Sequence, residues 1–182
     1  VHSARLRLAA PGCCGAGDAL VARREKLAAV VATADCVPVA IAAGDRVLAV
    51  HAGWRGLVAG ILASALRELP ATAGAVAWIG PAIGPCCYEV GDAVADAVCA
   101  VAGDDVRSTG ASGRPHLDLA AAVTAQLAAA GLSRVVRLDH CTRCRADWLW
   151  SHRRDGAAAG RNLTLVWRRA PDDRGAAPLR AR

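Results

Sequence analysis

The sequence predicts an α+β fold: one domain in which a mixed, largely antiparallel sheet is flanked by helices. Three observations carry that expectation. The chain has 182 residues, within the ~100–200 usual for one domain, and shows no internal repeat and no clear linker. Two short apolar runs, 37–42 and 46–50, flank Ala43-Gly44-Asp45, which reads as an antiparallel hairpin. Two segments with helical spacing, 57–69 and 118–130, are interspersed among the strands without the strict alternation of a doubly wound sheet.

The elements follow in order. Residues 27–32 (LAAVVA) and 37–42 (VPVAIA) read as strands separated by Thr33-Ala34-Asp35-Cys36, and residues 46–50 (RVLAV) complete the hairpin. Gly53 and Gly56 break the pattern. Apolar side chains at 57, 58, 61, 62, 65, 66 and 69 then recur at helical spacing until Pro70 stops them. Residues 76–79 form a short strand that runs into the rigid loop Gly80-Pro81-Ala82-Ile83-Gly84-Pro85, and 91–102 form a helix. A polar Gly/Ser-rich loop spans 107–114. The second strong helix, 118–130, is closed by Gly131 in the C′ position, and strands are expected at 135–138 and 163–167.

Composition narrows the class. Hydrophobic residues make up 54% but aromatics only 3%, with no Phe and no Met. The 44 alanines and 21 arginines against one lysine read as codon bias. The core is therefore built from Ala, Val and Leu, and disorder, collagen and low complexity are excluded. Of the net charge of +6, half lies in residues 168–182, so 169–182 reads as a flexible basic Ala/Pro-rich tail. No basic stripe interleaved with aromatics is present, so no nucleic-acid partner is expected. The twenty uncharged residues from Leu69 to Tyr88 match a bilayer in length. Pro70, Pro81 and Pro85 bar a regular helix there, so no membrane partner is expected either. Eight cysteines include the vicinal pairs Cys13-Cys14 and Cys86-Cys87, and a chain of this length buries a core unaided. The expected state is reduced and the expected location cytoplasmic.

Two segments carry chemistry. In Val50-His51-Ala52-Gly53-Trp54-Arg55-Gly56, a histidine ends a buried strand and Arg55 opens the next helix, where backbone N–H groups and a guanidinium fork suit an anion. In Thr33-Ala34-Asp35-Cys36-Val37-Pro38, a thiol precedes the hairpin. The pairing places Cys36 and His51 just outside the same open end. Read from the residues, the pair is either a zinc-ligand pair or a nucleophile with its base.

Six motifs now occur in a fixed order: A-D-C-V-P-V (34–39), H-A-G-W-R-G (51–56), I-G-P-A-I-G-P-C-C-Y-E-V (79–90), L-D-L (117–119), C-T-R-C (141–144) and S-H-R-R-D-G…G-R (151–161). Together they resemble the YfiH-like laccase-domain family, first labelled multicopper polyphenol oxidoreductases, over residues 1–168. The resemblance implies a zinc-dependent purine nucleoside phosphorylase acting on adenosine, inosine and S-methyl-5'-thioadenosine, with adenosine deaminase activity. It implies Zn2+ held by His2, Cys36 and His51, with copper the older alternative. Three protein ligands leave the open fourth position of a catalytic zinc. In the family the first histidine lies in Q-V-H-G, whereas here it lies in Val1-His2-Ser3. The family has a stretch ahead of that motif, so a chain opening on Val1 reads as a fragment lacking an N-terminal part. Ala82 and Trp148-Leu149-Trp150 are smaller departures.

On this reading Arg55 holds phosphate, Trp54 is the stacking surface for the base, and Asp35 is the acid/base candidate. The rivals are a metal-free cysteine hydrolase or amidase using Cys36 and His51, a copper-dependent phenol oxidase, and a metal- or nucleotide-binding protein that is no enzyme. Cys86 and Cys87 are expected to be packing residues, with Glu89 a polar contact. No second C-x-x-C completes a four-thiol site, so a zinc ribbon is not expected at Cys141 and Cys144; the resemblance implies a structural or pocket-wall loop there, with a redox pair as the alternative. Arg153, Arg154 and Arg161 read equally as anion contacts or solvated side chains, and His116 and His140 as ordinary surface histidines.

Overall fold

The hairpin is the centre of the structure, a computed structural model that describes residues 3–169. Strand β4 (Val37–Ala43) pairs antiparallel with β5 (Arg46–Ala52) from Val37↔Ala52 to Ala43↔Arg46. Five further strands build on or beside it: β1 (Leu6–Leu8), β2 (Ala19–Ala22), β3 (Ala29–Thr33), β6 (Val76–Ile79) and β9 (Arg134–Arg137). The main sheet runs β1-β2-β5-β4-β6-β9. Its inner pairings are antiparallel, and only the two outer ones, β1 with β2 and β6 with β9, are parallel. Strand β10 (Asn162–Val166) pairs antiparallel with β3 as a second, two-stranded sheet. The mixed, mostly antiparallel α+β architecture is as the sequence predicts.

Period-two alternation gives the central strands two buried faces. Val37, Val39, Ile41, Leu48 and Val50 face the larger core, shared with helices α1 (Trp54–Val58), α2 (Ile61–Leu66), α3 (Asp92–Ala102) and α4 (Leu119–Ala129). Val47 and Ala49 belong to a smaller core with Ala22, Ala29 and Val31, beneath the β3/β10 sheet. Small side chains suit this second face, because two sheets must approach closely there. Gly80 shows the same constraint: a Cβ at that position would lie 2.9 Å from Cγ of Pro38.

Several expected elements are corrected. The helix expected over 57–69 is two short helices, α1 and α2, because Gly60 takes φ +78 and breaks the run. That left-handed conformation is costly for any residue with a Cβ. The expected strand 27–32 lies at Ala29–Thr33. The polar loop 107–114 is the first strand and the turn of a small hairpin, β7 (Arg107–Thr109) pairing with β8 (Pro115–Leu117) just beyond it. The second helix is as expected: Asp118 caps it through its carboxylate, which accepts from Ala121 N at 2.8 Å, and Gly131 follows at φ +81. A last short helix, α5 (His152–Asp155), falls in the S-H-R-R motif. Among the described residues no helix is long and apolar enough to cross a membrane. The uncharged run 69–88 is instead β6 and its flanking loops.

Candidate active site

His51 lies inside β5, opposite Pro38, rather than beyond the strand end. It follows Val47 and Ala49 in alternation, so its side chain belongs to the face beneath the β3/β10 sheet. Asp18, one residue before β2, is its cross-strand neighbour: His51 N donates to Asp18 O at 2.7 Å. The side chains repeat the pairing, with His51 Nδ1 2.8 Å from Asp18 Oδ1. A carboxylate only accepts, so Nδ1 carries the hydrogen and Nε2 is left as the lone-pair nitrogen. Asp18 is 2% exposed, and its Oδ2 accepts from Ser3 N at 2.5 Å and Ser3 Oγ at 2.6 Å. Burial raises the Asp18 carboxyl, but these hydrogen bonds from Ser3 and His51 outweigh it and hold the group below its ordinary value.

Cys36 stands immediately before β4 and shares strand parity with Pro38, the partner of His51. Burial, with the charges of Asp35 and Asp18 close by, pushes its thiol up to about 11. Without a cation, this sulfur stays protonated at neutral pH, whereas a thiolate nucleophile needs a depressed pKa. The preceding residue, Asp35, takes φ +91, a conformation sparsely populated by residues with a Cβ. Three contacts enforce it. Asp35 Oδ1 accepts from Thr142 Oγ1 at 2.6 Å, Oδ2 accepts from Arg153 N at 2.6 Å, and the carbonyl accepts from Ile83 N at 2.9 Å. Both carboxylate oxygens of the acid/base candidate are thus committed to protein donors. His2 lies outside the described residues.

Arg55 is exposed on α1, a helix of only five residues. An anion contact there therefore rests on the guanidinium itself, which lies 4.3 Å from the Trp54 ring centroid. Tyr88, the single tyrosine, was not singled out by the sequence reading and belongs to this neighbourhood. Burial, then the nearby Cys36, pushes its hydroxyl up to about 12, against the opposing charges of Arg153 and Arg55. Arg153 stacks over the Tyr88 ring at 5.2 Å and donates to Glu89 O at 2.9 Å. The three arginines of the S-H-R-R…G-R motif now separate. Arg154 is committed to Asp155 and to the carbonyls of Thr142, Arg143 and Leu149, and Arg161 to those of Ala159 and Gly160. Only Arg153 presents its guanidinium beside the Cys36 neighbourhood.

A cavity of about 380 Å³, lined in part by Asp18, His51, Arg7, Cys13 and Cys14, opens on the Asp18 side. A larger groove of about 660 Å³ lies between α1–α2, α3 and α4. It is lined by apolar side chains and Gln126, with no titratable group.

The cysteine expectations need correction. Cys86, Cys87, Cys141 and Cys144 are brought together, with their Sγ atoms all within 4.8 Å of one another. The vicinal pair does what a second C-x-x-C would have done, because the Gly84–Cys87 turn meets the loop after the Ala82↔Cys141 bridge. Cys86 is also exposed, which does not fit a packing residue. Of the expected surface histidines, His116 is held by Pro85 O at 2.5 Å and His140 meets Trp148 edge-on at 5.3 Å. Glu89 accepts from Ser112 at 2.8 Å and from Arg114 at 3.3 Å.

Known proteins resemble the chain in sequence and in fold. The family model described as multi-copper polyphenol oxidoreductase laccase matches residues 1–169. The chain is 38% identical over 163 residues to "Adenosine deaminase RL5" from an unknown prokaryotic organism, covering 84% of this chain and 62% of that protein. It is 38% identical over 146 residues to "Purine nucleoside phosphorylase YfiH" of Escherichia coli, covering 75% of this chain and 58% of that one. It thus spans about three-fifths of the length of the curated relatives it matches. Among solved structures, YlmD from Geobacillus stearothermophilus superposes with TM-score 0.84 at 32% identity, covering 93% of this chain and 72% of that one. Neisseria meningitidis protein NMB0706 superposes at 0.86 and 35%, covering 93% and 73%. From motifs, fold and match together, the chain belongs to the multi-copper polyphenol oxidoreductase laccase family, whose relatives include proteins named YfiH and YlmD.

Proposed function

We propose that the protein is a cytoplasmic zinc enzyme of purine nucleosides, cleaving adenosine, inosine and S-methyl-5'-thioadenosine with phosphate and also deaminating adenosine. The observation that carries this reading is the Asp18–His51 bond at 2.8 Å. A carboxylate holding Nδ1–H of a histidine is the support a metal-ligating imidazole needs, because it fixes the tautomer and aims Nε2 outward. The donors fit zinc: one thiol at Cys36, one oriented imidazole at His51, and His2 as the third ligand implied by the family motif. Zinc bound there would supply Lewis-acid polarisation of a water, phosphate or substrate oxygen.

The chain's own residues do the rest. Arg55 and Arg153 bind and orient phosphate, and the rings of Trp54 and Tyr88 form the apolar wall for the purine. In phosphorolysis a phosphate oxygen bonds to the anomeric carbon as the glycosidic C–N bond breaks, and the base leaves with a proton. In deamination water adds to the purine carbon and ammonia leaves. Asp35 acts here as a positioning residue, since its backbone presents Cys36 while its carboxylate is anchored. The high thiol pKa of Cys36 and the names of the relatives both weigh against the metal-free cysteine hydrolase.

The test is product analysis with zinc-loaded, full-length protein and adenosine, with and without phosphate. Adenine and ribose 1-phosphate that require phosphate support phosphorolysis, and inosine supports deamination. Neither product, from protein carrying zinc at Cys36, overturns the proposal. Copper in place of zinc, with phenol oxidation, would restore the older label.

A further inference from the structure

Outside the site just described, one cluster stands apart. Four thiols from two segments 54 or more residues apart in sequence meet at the surface. Cys144 Sγ lies 3.8 Å from Cys86 Sγ and 3.4 Å from Cys87 Sγ, and all four sulfurs fall within 4.8 Å. Hydrophobic burial does not account for the gathering, because Cys86 and Cys144 are exposed. Nor are the sulfurs joined to one another, all eight cysteines being free thiols. Those two spacings suit a shared cation: with Zn–S near ~2.3 Å, the edge of a tetrahedral four-thiolate site is ~3.8 Å.

The surroundings are also those of a thiolate cluster. Gly84 N–H donates to Cys141 Sγ at 3.3 Å, and Arg143 Nη1 lies 3.6 Å from Cys87 Sγ. Backbone N–H bonds to sulfur and a nearby cation are how proteins stabilise metal-bound thiolates. Gly84 itself is constrained, since a Cβ there would lie 3.4 Å from both Cys86 Sγ and Cys141 Cβ. Four thiols so close cannot all lose their protons without a cation between them.

We propose that Cys86, Cys87, Cys141 and Cys144 bind a second zinc ion, distinct from the one at Cys36 and structural in role. Binding exchanges one Zn2+ for the four thiol protons and leaves a closed, four-coordinate sphere without an open position for substrate. Its effect is to clamp the Gly84–Cys87 turn to the 141–144 loop. The reading is independent of nucleoside chemistry.

The experiment is metal analysis and cobalt substitution of the full-length protein in a Cys36→Ser background, where the other zinc is removed. Expected are one zinc per chain, a thiolate-to-cobalt charge-transfer band, and loss of both on Cys144→Ser or Cys86→Ala but not on Cys13→Ser. Peptide mapping after alkylation, on protein without these substitutions, avoids any folding defect: zinc should protect these four thiols, and chelator should expose them. The proposal is overturned if Cys144→Ser keeps the full zinc content, if the four thiols alkylate as fast as Cys13 and Cys14, or if a Cys87–Cys144 disulfide forms in the presence of zinc.

Discussion

Asp18→Asn isolates the support of His51 with the least change of shape. In the native protein Oδ2 accepts two hydrogen bonds from Ser3 and Oδ1 faces His51 Nδ1. Asparagine has one acceptor oxygen, and the two Ser3 donors claim it. Its NH2 then occupies the Oδ1 position and donates to Nδ1, which moves the imidazole hydrogen to Nε2, the nitrogen proposed to bind metal. Loss of such a carboxylate costs roughly 10–100-fold in metal affinity, or about 1.4–2.8 kcal/mol. Competition with a chromophoric chelator, following the zinc equivalent that Cys36→Ser abolishes, measures it directly. Asp18→Asn should shift that competition by one to two decades while the four-cysteine zinc is untouched. Native-like affinity in a folded Asp18→Asn protein would refute the tautomer argument, and with it the assignment of His51 Nε2 as a ligand.

Three other outcomes are expected. Leu48 is fully buried between Ile41 and Val21, so Leu48→Ala should cost about 2–5 kcal/mol and lower Tm by roughly 4–20 °C in a chain of this size; a smaller calorimetric shift would mean that the central strands are not the core. Gly60→Ala meets no atom within 4 Å but keeps φ +78, so it should destabilise by about 1–2 kcal/mol from backbone strain alone, with Gly60→Asn recovering part of it in denaturant titrations. The Asp155 carboxyl is held below its ordinary value by the guanidinium of Arg154, at 2.8 and 2.7 Å. A depressed native pKa contributes stability above about pH 4 that is lost as pH falls through it. The stability gap between native protein and Asp155→Asn should therefore close on acidification, and a gap constant from pH 7 to pH 3 would exclude the linkage.

The hairpin, the helix closed by Gly131 and the strand at 76–79 are legible because each rests on a local signal: a Gly-Asp turn, a C′ glycine, a run bounded by Gly and Pro. The split at Gly60 is not, because apolar periodicity continues straight through a residue whose φ the pattern does not register. The hairpin brings Cys36 and His51 to the same end of the sheet in the sequence reading, but the register sets Pro38 opposite His51, inside the strand. Asp18 was hidden for the opposite reason: its partner is 33 residues away, and nothing in Gly17-Asp18-Ala19 signals a metal support. The four-cysteine cluster was missed by a rule of spacing. The spacing rule needs a second C-x-x-C, whereas the turn Gly84–Cys87 presents two adjacent thiols to the 141–144 loop.

Asp35 connects these parts. Its strained backbone sets the entry of Cys36 into β4, and its carboxylate is tied to Thr142 and Arg153. Thr142 directly follows Cys141, and its carbonyl accepts from Arg154 at 2.9 Å. A zinc that fixes the 141–144 loop would thus also fix the donor that holds Asp35, and through it the position of Cys36. Strain of ~1–3 kcal/mol at a non-glycine residue persists only where surrounding contacts over-determine it. Removing the Thr142 hydroxyl, by Thr142→Val, takes away one of three such contacts without touching either set of thiols. It should lower the affinity of the Cys36 zinc while leaving the four-cysteine zinc in place, and equal loss at both would show that the loop acts as a single unit instead.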